Sequence, residues 1–219
     1  MRRFFAILAV IAALGACADN SRSPERQTVK RSTTPVSQNP EARQCRAELG
    51  AKRAGFTPLP DQYYGGGCST VNTVRLASLQ ADTSALSLAN LGPVTCPLAD
   101  SFAGWARYGV DRAARQILGS ALVRIETMGS YNCRNVAGST RRSAHATADA
   151  IDISGFVLAD GRRITISSGW SGGSAQERQF LRVIHSSACK RFGTVLGPNY
   201  NAAHHDHLHV ELRGGSFCR

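Results

Sequence analysis

Beyond its first sixteen residues the chain has no long apolar run, and nowhere does it carry a C-x-x-C pair or an internal repeat. Each absence excludes something. A membrane-spanning helix needs about 20 consecutive apolar residues, so none is expected in the mature chain. Without C-x-x-C, nothing points to a cysteine-built zinc module. Without repeats, 219 residues of ordinary apolar content (42%) read as one domain with appendages. Acidic residues are also scarce, 15 against 26 basic ones, for a formal charge of +11.

What is present begins with MRRFFAILAVIAALGA, two arginines and then an apolar stretch too short to span a bilayer, which reads as an export signal over residues 1–16. It ends in Leu14-Gly15-Ala16-Cys17, which resembles the lipobox of bacterial lipoproteins and implies that Cys17 is lipidated and anchors the chain to a membrane. Ala18 follows where an aspartate would signal inner-membrane retention, so the outer membrane stays open as the destination. Residues 17–40, rich in Ser, Thr, Pro and Arg, are expected to be a tether, with the folded domain over 41–219.

Export gives the cysteines a meaning. Seven less Cys17 leaves Cys45, Cys68, Cys96, Cys133, Cys189 and Cys218, an even set that points to disulfides in an oxidising compartment. Sequential pairing, Cys45 with Cys68, Cys96 with Cys133 and Cys189 with Cys218, is the expectation. Removing Arg2 and Arg3 from +11 leaves +9 for the mature chain. In an exported protein that charge suits anionic envelope polymers or lipid head groups better than nucleic acid, and a solvated surface without a specific partner is the plain alternative.

Residues 45–95 show no helical period and are expected to be irregular structure held by a disulfide. From Pro97 to Gly119 apolar residues recur at helical spacing, and SAQERQFLRVIHSSACKRF is a second helix with Ser174 as N-cap. His185 in it is given no chemical role. ALVRIETMGSYNCR reads as a strand, and AIDISGFVLADGRRITISS as a hairpin turning at Ala159-Asp160-Gly161. Trp105, Tyr131, Phe156 and Trp170 are expected in the core. The order predicts an α+β fold, a mainly antiparallel sheet with helices on one face, stabilised by disulfides.

Four of the six histidines lie within residues 204–209. If HLHVEL is a strand, Leu208, Val210 and Leu212 face the core while His207, His209 and Glu211 share the other side. Two imidazoles cannot complete a catalytic zinc site, which usually takes three protein ligands and leaves one position for water. Upstream, AIDIS projects Asp152 away from Ile151 and Ile153, and an aspartate there is costly to bury without a partner. His145 lies seven positions before it.

Ser143-x-His145-x-x-Ala148-x-Ala150-x-Asp152 resembles the S-x-H-x-x-G-x-A-x-D motif, and His207-Leu208-His209 the H-x-H motif, of lysostaphin-type enzymes, D-Ala-D-Ala carboxypeptidases and murein endopeptidases. More closely, GSYNCR, AIDISGFVLADGRRI, FLRVIHSSACKRFGTVLGPNYN and HxDHLHVEL resemble the bacterial extensin-like C-terminal domain family over roughly residues 41–219. The resemblance implies His145, Asp152 and His209 as Zn²⁺ ligands in a groove on the sheet. It implies His207 as the histidine facing the reacting water, His204 as an additional site histidine, and Arg134 as a group that holds a substrate carbonyl or carboxylate. Ala148 departs from the glycine of the motif, a change expected to be tolerated in a helix or strand. Asp206 falls where related carboxypeptidases place a catalytic glutamate, but strand alternation turns it away from His209, which favours His207 as the base unless a turn precedes the strand. Glu211 is either an orienting partner of His209 or a surface glutamate, and His205 is expected to take no part.

Three functions follow as expectations: a zinc peptidase acting on peptidoglycan in the periplasm, a non-catalytic wall-binding lipoprotein that keeps the fold, or an exported metal buffer. The enzyme needs His207, which is present. A buffer would want histidines or methionines in the tail, and residues 18–40 contain neither.

Overall fold

The computed structural model describes residues 35–219, so the export signal, Cys17 and most of the tether lie outside the described residues. Helix α1 (Pro40–Ala51) opens the fold, capped by Asn39, whose side chain accepts from the Ala42 amide at 2.7 Å. Six short strands follow: β1 (Gly55–Pro58), β2 (Gln62–Gly65), β3 (Cys68–Thr70), β4 (Thr73–Gln80), β5 (Ala85–Ala89) and β6 (Val94–Thr95). The expectation of irregular structure here is therefore wrong. In β4 the buried positions run Val74 and Leu76 and then shift to Leu79, because Gly55 and Phe56 of β1 face Ser78 and Leu76 and leave Ala77 as a bulge. A bulge breaks the alternation by which a strand is read from sequence.

Helix α2 (Cys96–Trp105) continues through π-helical segments Ala106–Asp111 and Ala114–Leu118 and ends where Gly119 turns left-handed at φ 71°. Then come β7 (Leu122–Gly129), β8 (Ala150–Leu158) and β9 (Arg163–Thr165), the last two joined by the expected turn with Gly161 at φ 87°. The residues after β9, read as strand, instead begin helix α3 (Ile166–Gly172), because the Thr165 hydroxyl caps it on the Ser168 amide. Helix α4 (Ala175–Cys189) has the expected Ser174 cap, completed by Glu177 reaching back to the Ser174 amide at 2.7 Å. Strands β10 (Thr194–Leu196), β11 (Leu208–Glu211) and β12 (Phe217–Cys218) close the chain.

The fold is α+β. The main sheet runs β1-β4-β5-β7-β8-β11-β10-β12, with β6 on β4 and β9 on β8, while β2 and β3 form a separate ribbon. Pairing is antiparallel except between β5 and β7 and between β10 and β12. The helices cover one face. Phe102, Trp105, Phe156 and Phe180 are fully buried there, and the Trp105 indole donates to the Ile184 carbonyl at 3.2 Å. Trp170 is also buried, with the Arg182 guanidinium over its ring. Tyr131 is not in the core; it lies half-buried at the surface against Tyr64.

Three disulfides join Cys45 to Cys96, Cys68 to Cys133 and Cys189 to Cys218. Only the last pair is sequential. Helix α1 packs on α2 and brings Cys45 to the first residue of that helix, while Cys68 opens a strand of the outlying ribbon and meets the loop after β7. Non-local packing decides the pairing, which residue order cannot encode. No helix among the described residues is long and apolar enough to cross a membrane.

Candidate metal centre

Strands β8 and β11 pair so that Leu208 faces Ile153, His209 faces Asp152, Val210 faces Ile151 and Glu211 faces Ala150. Leu208, Val210, Ile151 and Ile153 are fully buried toward the helices. By alternation His209 and Asp152 then meet as a cross-strand pair on the opposite face. A bulge extends the core: β7 residues Glu126 and Thr127 face Gly155 and Ile153, leaving Ser154 unpaired, so Phe156 and Leu158 still point inward.

His145 comes from a short helical turn, Ala144–Thr147, begun by Ser143, whose hydroxyl accepts the His145 amide at 3.3 Å. The turn closes at Ala148, left-handed at φ 56°, and the chain enters β8 two residues later. That conformation costs an L-residue about 1–2 kcal/mol and costs glycine almost nothing. Ala148 is thus in neither helix nor strand, and the strain it carries gives the glycine of the motif a physical reason. Asp149, buried next to it, accepts from the Thr95 hydroxyl at 2.7 Å and ties the turn to β6; burial raises its pKa, against the hydrogen bond from Thr95.

These elements bring together the three residues read as ligands. His145 Nε2, His209 Nδ1 and the Asp152 carboxylate lie within 4.8 Å of one another. His209 Nδ1 is 2.8 Å from Asp152 Oδ1, and His145 Nε2 is 3.1 Å from Asp152 Oδ2. The outer nitrogen of each ring has its own acceptor. His145 Nδ1 donates to the Ser130 carbonyl at 3.1 Å, and His209 Nε2 donates to Glu211 Oε1 at 2.8 Å. With those N–H groups engaged, the inner nitrogens of the neutral rings carry lone pairs, and they face one another at 3.2 Å. Two lone pairs at that distance repel unless a cation lies between them. In the bare protein a proton serves: burial disfavours charge on His209, but bonds to Asp152 and Glu211 outweigh it and push its pKa up to about 9. Burial likewise opposes ionising Asp152, and the two histidines still hold it well below the usual carboxylate range. Two imidazoles and a carboxylate, each imidazole oriented by a further acceptor, are a donor set that fits zinc.

His207 sits beside the three, its Nε2 3.6 Å from Asp152 Oδ1 and its Nδ1 donating to Asp206 Oδ1 at 2.8 Å. A turn does precede the strand, and it makes Asp206 the partner of His207. His204, on a short helical turn, stacks edgewise on Tyr200 and gives Nδ1–H to Asn201 Oδ1 at 2.7 Å. Burial, then the nearby His207 and His209, lower its pKa to about 4, so it is neutral at pH 7. His205 is exposed and His185 lies in α4 against Trp170, neither near the three. Cys189 and Cys218, close to His185, are committed to their disulfide.

Asp152, His204, His207 and His209 line a cleft of about 500 Å³, with Arg134 and Arg141 among its other residues. Tyr200 and Phe217, edge to face at 5.7 Å, add an aromatic wall. Sequence reasoning missed this wall, since both residues stand outside any periodic segment. It also missed the Ser130 carbonyl, because a main-chain acceptor leaves no mark in residue identity. No curated protein and no solved structure matches the chain. The segment that builds both sheet and cleft, residues 43–219, matches the family model described as Extensin-like protein C-terminus, and the chain belongs to that family.

Proposed function

We propose that the domain is a zinc-dependent peptidase of the bacterial cell wall that cuts stem peptides or cross-links of peptidoglycan. The supporting observation is the meeting of His145 Nε2, His209 Nδ1 and the Asp152 carboxylate at a cleft that Asp152, His207 and His209 line, with His207 a fourth polar group beside them and not needed as a donor. Such a division, three donors plus a neighbouring base, is what hydrolysis asks for and mere metal storage does not. It agrees with the likeness to the lysostaphin, D-Ala-D-Ala carboxypeptidase and murein endopeptidase group.

Zinc held by His145, Asp152 and His209 would polarise the scissile carbonyl and make water a nucleophile at neutral pH. The remaining work falls to the chain. His207 takes the proton of the attacking water at Nε2, while Asp206 accepts from Nδ1, fixes the tautomer and stabilises the imidazolium. His207 then gives that proton to the leaving amine. Neutral His204 orients the peptide, and the exposed Arg134 guanidinium grips a substrate carbonyl or terminal carboxylate with its forked donors. Lipid on Cys17 would anchor the protein to a membrane facing the periplasm, with the tether giving the domain reach to the wall.

The test is incubation of zinc-loaded protein with purified sacculi and cross-linked muropeptides, with products identified by mass. Each cut adds one water, and its position distinguishes D,D- from L,D-cleavage and endo- from carboxypeptidase action. His207→Ala should lower the rate by about 10²–10⁴-fold with zinc content unchanged. Intact muropeptides with the parent protein, zinc being bound stoichiometrically, would remove the peptidase reading in favour of a wall-binding module.

A further inference from the structure

Residues 134–143 form a small hairpin along one wall of the cleft. The Val136 amide donates to the Arg141 carbonyl at 2.9 Å and the Ser143 amide to the Arg134 carbonyl at 3.1 Å, on either side of the bridge between Asn135 and Arg142. That pattern sets Asn135 opposite Arg142 as a pair without hydrogen bonds between them. By alternation Arg134, Val136, Arg141 and Ser143 then share the other face. The cleft lining agrees, since those four belong to it and Asn135 and Arg142 do not.

The base, the back and the tip of the hairpin are all held. Cys133 is bonded to Cys68, the Asn132 amide donates to the His145 carbonyl at 3.1 Å, and Ser143 caps the turn that carries His145. On the back, Arg142 donates through Nε to the Gly66 carbonyl between β2 and β3. A Cβ on Gly66 would come within 2.8 Å of the Arg142 guanidinium, so the glycine leaves room for that contact. At the tip Gly138 turns left-handed at φ 72°, and Ser139 Oγ accepts the Arg141 amide at 3.0 Å.

The arginine on the back serves the fold, and the two on the front do not. Elsewhere Arg107, Arg112, Arg115, Arg162 and Arg163 each meet a carboxylate. Arg134 is exposed and reaches only the neighbouring Asn135 carbonyl, at 3.5 Å, while the exposed Arg141 guanidinium has no hydrogen-bond or carboxylate partner among the described residues. The acids that line the cleft are already engaged: Asp152 with His145 and His209, Glu211 with His209. Two guanidiniums on one rigid wall, unneutralised by the protein, suit a ligand that brings two negative groups, and their forked donors match carboxylates.

The spacing assigns each a place. Arg134 stands on the rung next to the His145 turn, and Arg141 on the rung two residues farther out, about 7 Å along the ladder. An extended peptide rises equally per residue, so about two residues of substrate span that gap. We propose that Arg141 determines specificity by holding a side-chain carboxylate of the substrate about two residues from the group that Arg134 holds, so that the cleft selects acidic peptides over neutral ones. This rests on the reading of the cleft as a wall-peptide site.

The experiment is equilibrium binding of synthetic stem peptides to the metal-free full chain, so that no bond is cut and no chelating anion is present. The acidic peptide is compared with copies in which each side-chain carboxylate in turn is a carboxamide. One copy should bind about 5- to 10-fold more weakly than the acidic peptide at low salt, and the difference should shrink as salt is added. Arg141→Gln should weaken binding of the acidic peptide by that same factor and leave binding of that copy unchanged, which a merely structural role would not do. Arg141→Lys, which keeps the charge and loses the fork, should retain part of the preference. Equal binding of all the peptides by the parent would overturn the proposal, as would an Arg141→Gln protein that still discriminates or that loses affinity for every peptide alike. So would inorganic phosphate that displaces the acidic peptide at a concentration below the peptide's own Kd. Failure of the peptidase reading shows separately, as uncut muropeptides with the zinc-loaded parent, and leaves this binding comparison intact.

Discussion

The two faces of the β8–β11 ladder share one backbone and one register yet do opposite work. Ile151, Ile153, Leu208 and Val210 sit against the helices with no exposed surface, and each such side chain contributes about 1.5–3 kcal/mol by leaving water. On the reverse, Asp152, His209 and Glu211 bury charge and hydrogen-bonding capacity, which costs stability unless partners are supplied. The comparison teaches that the apolar face fixes the register, and the register sets His209 opposite Asp152. Core packing and the candidate metal site therefore belong to alternate residues of the same strands.

Substitutions can break that division, and the largest effect is expected at Asp152. Asp152→Ala removes the group that faces both histidines and should weaken zinc binding by at least about 100-fold, measured by competition with a chromophoric chelator. Its metal-free form should also lose stability below about pH 9, because the His209 charge loses one of its two acceptors. Ile153→Ala, one residue away, should cost about 2–5 kcal/mol in denaturant unfolding while zinc content at low temperature stays near that of the parent. If the two variants exchanged these outcomes, the faces would not be separable.

A smaller effect is expected from Glu211→Gln, which keeps the shape but weakens the acceptor for His209 Nε2–H; zinc affinity should fall by about 10- to 100-fold. Acidity probes the same contact. The His209 pKa lies above its ordinary 6.5, at about 9, so its charged form stabilises the metal-free fold fully below 6.5 and loses that effect as pH rises through about 9. Zinc bound at His209 would have to displace this proton. Affinity should therefore rise by up to about tenfold per pH unit and level off near pH 9, and in Glu211→Gln the plateau should begin at lower pH. A flat profile between pH 7 and 9 would remove His209 as a ligand.

Parts of this were legible in residue order because they are local. The helix from Pro97 to Gly119 shows its 3.6-residue period and its left-handed stop, and α4 announces itself through Ser174 and Glu177. Asp152 and His209 stand out because each interrupts an alternating apolar strand. The β1–β6 region was not legible, since its strands are short, β4 bulges at Ala77 and β5 pairs parallel with a partner more than thirty residues on. The disulfides depended on that same non-local pairing. Around the site, Arg134, His204 and His207 are marked in the sequence, while the partnership of Asp206 with His207 and the strain at Ala148 arise from turns whose geometry residue order does not fix.

The most direct measurement is X-ray absorption at the zinc edge on protein loaded with one equivalent of zinc. Two imidazole nitrogens and carboxylate oxygen in the inner sphere, with no sulfur, are the predicted result. A sulfur scatterer, or a spectrum unchanged by His209→Ala, would contradict the assignment of His145, Asp152 and His209 as the metal centre.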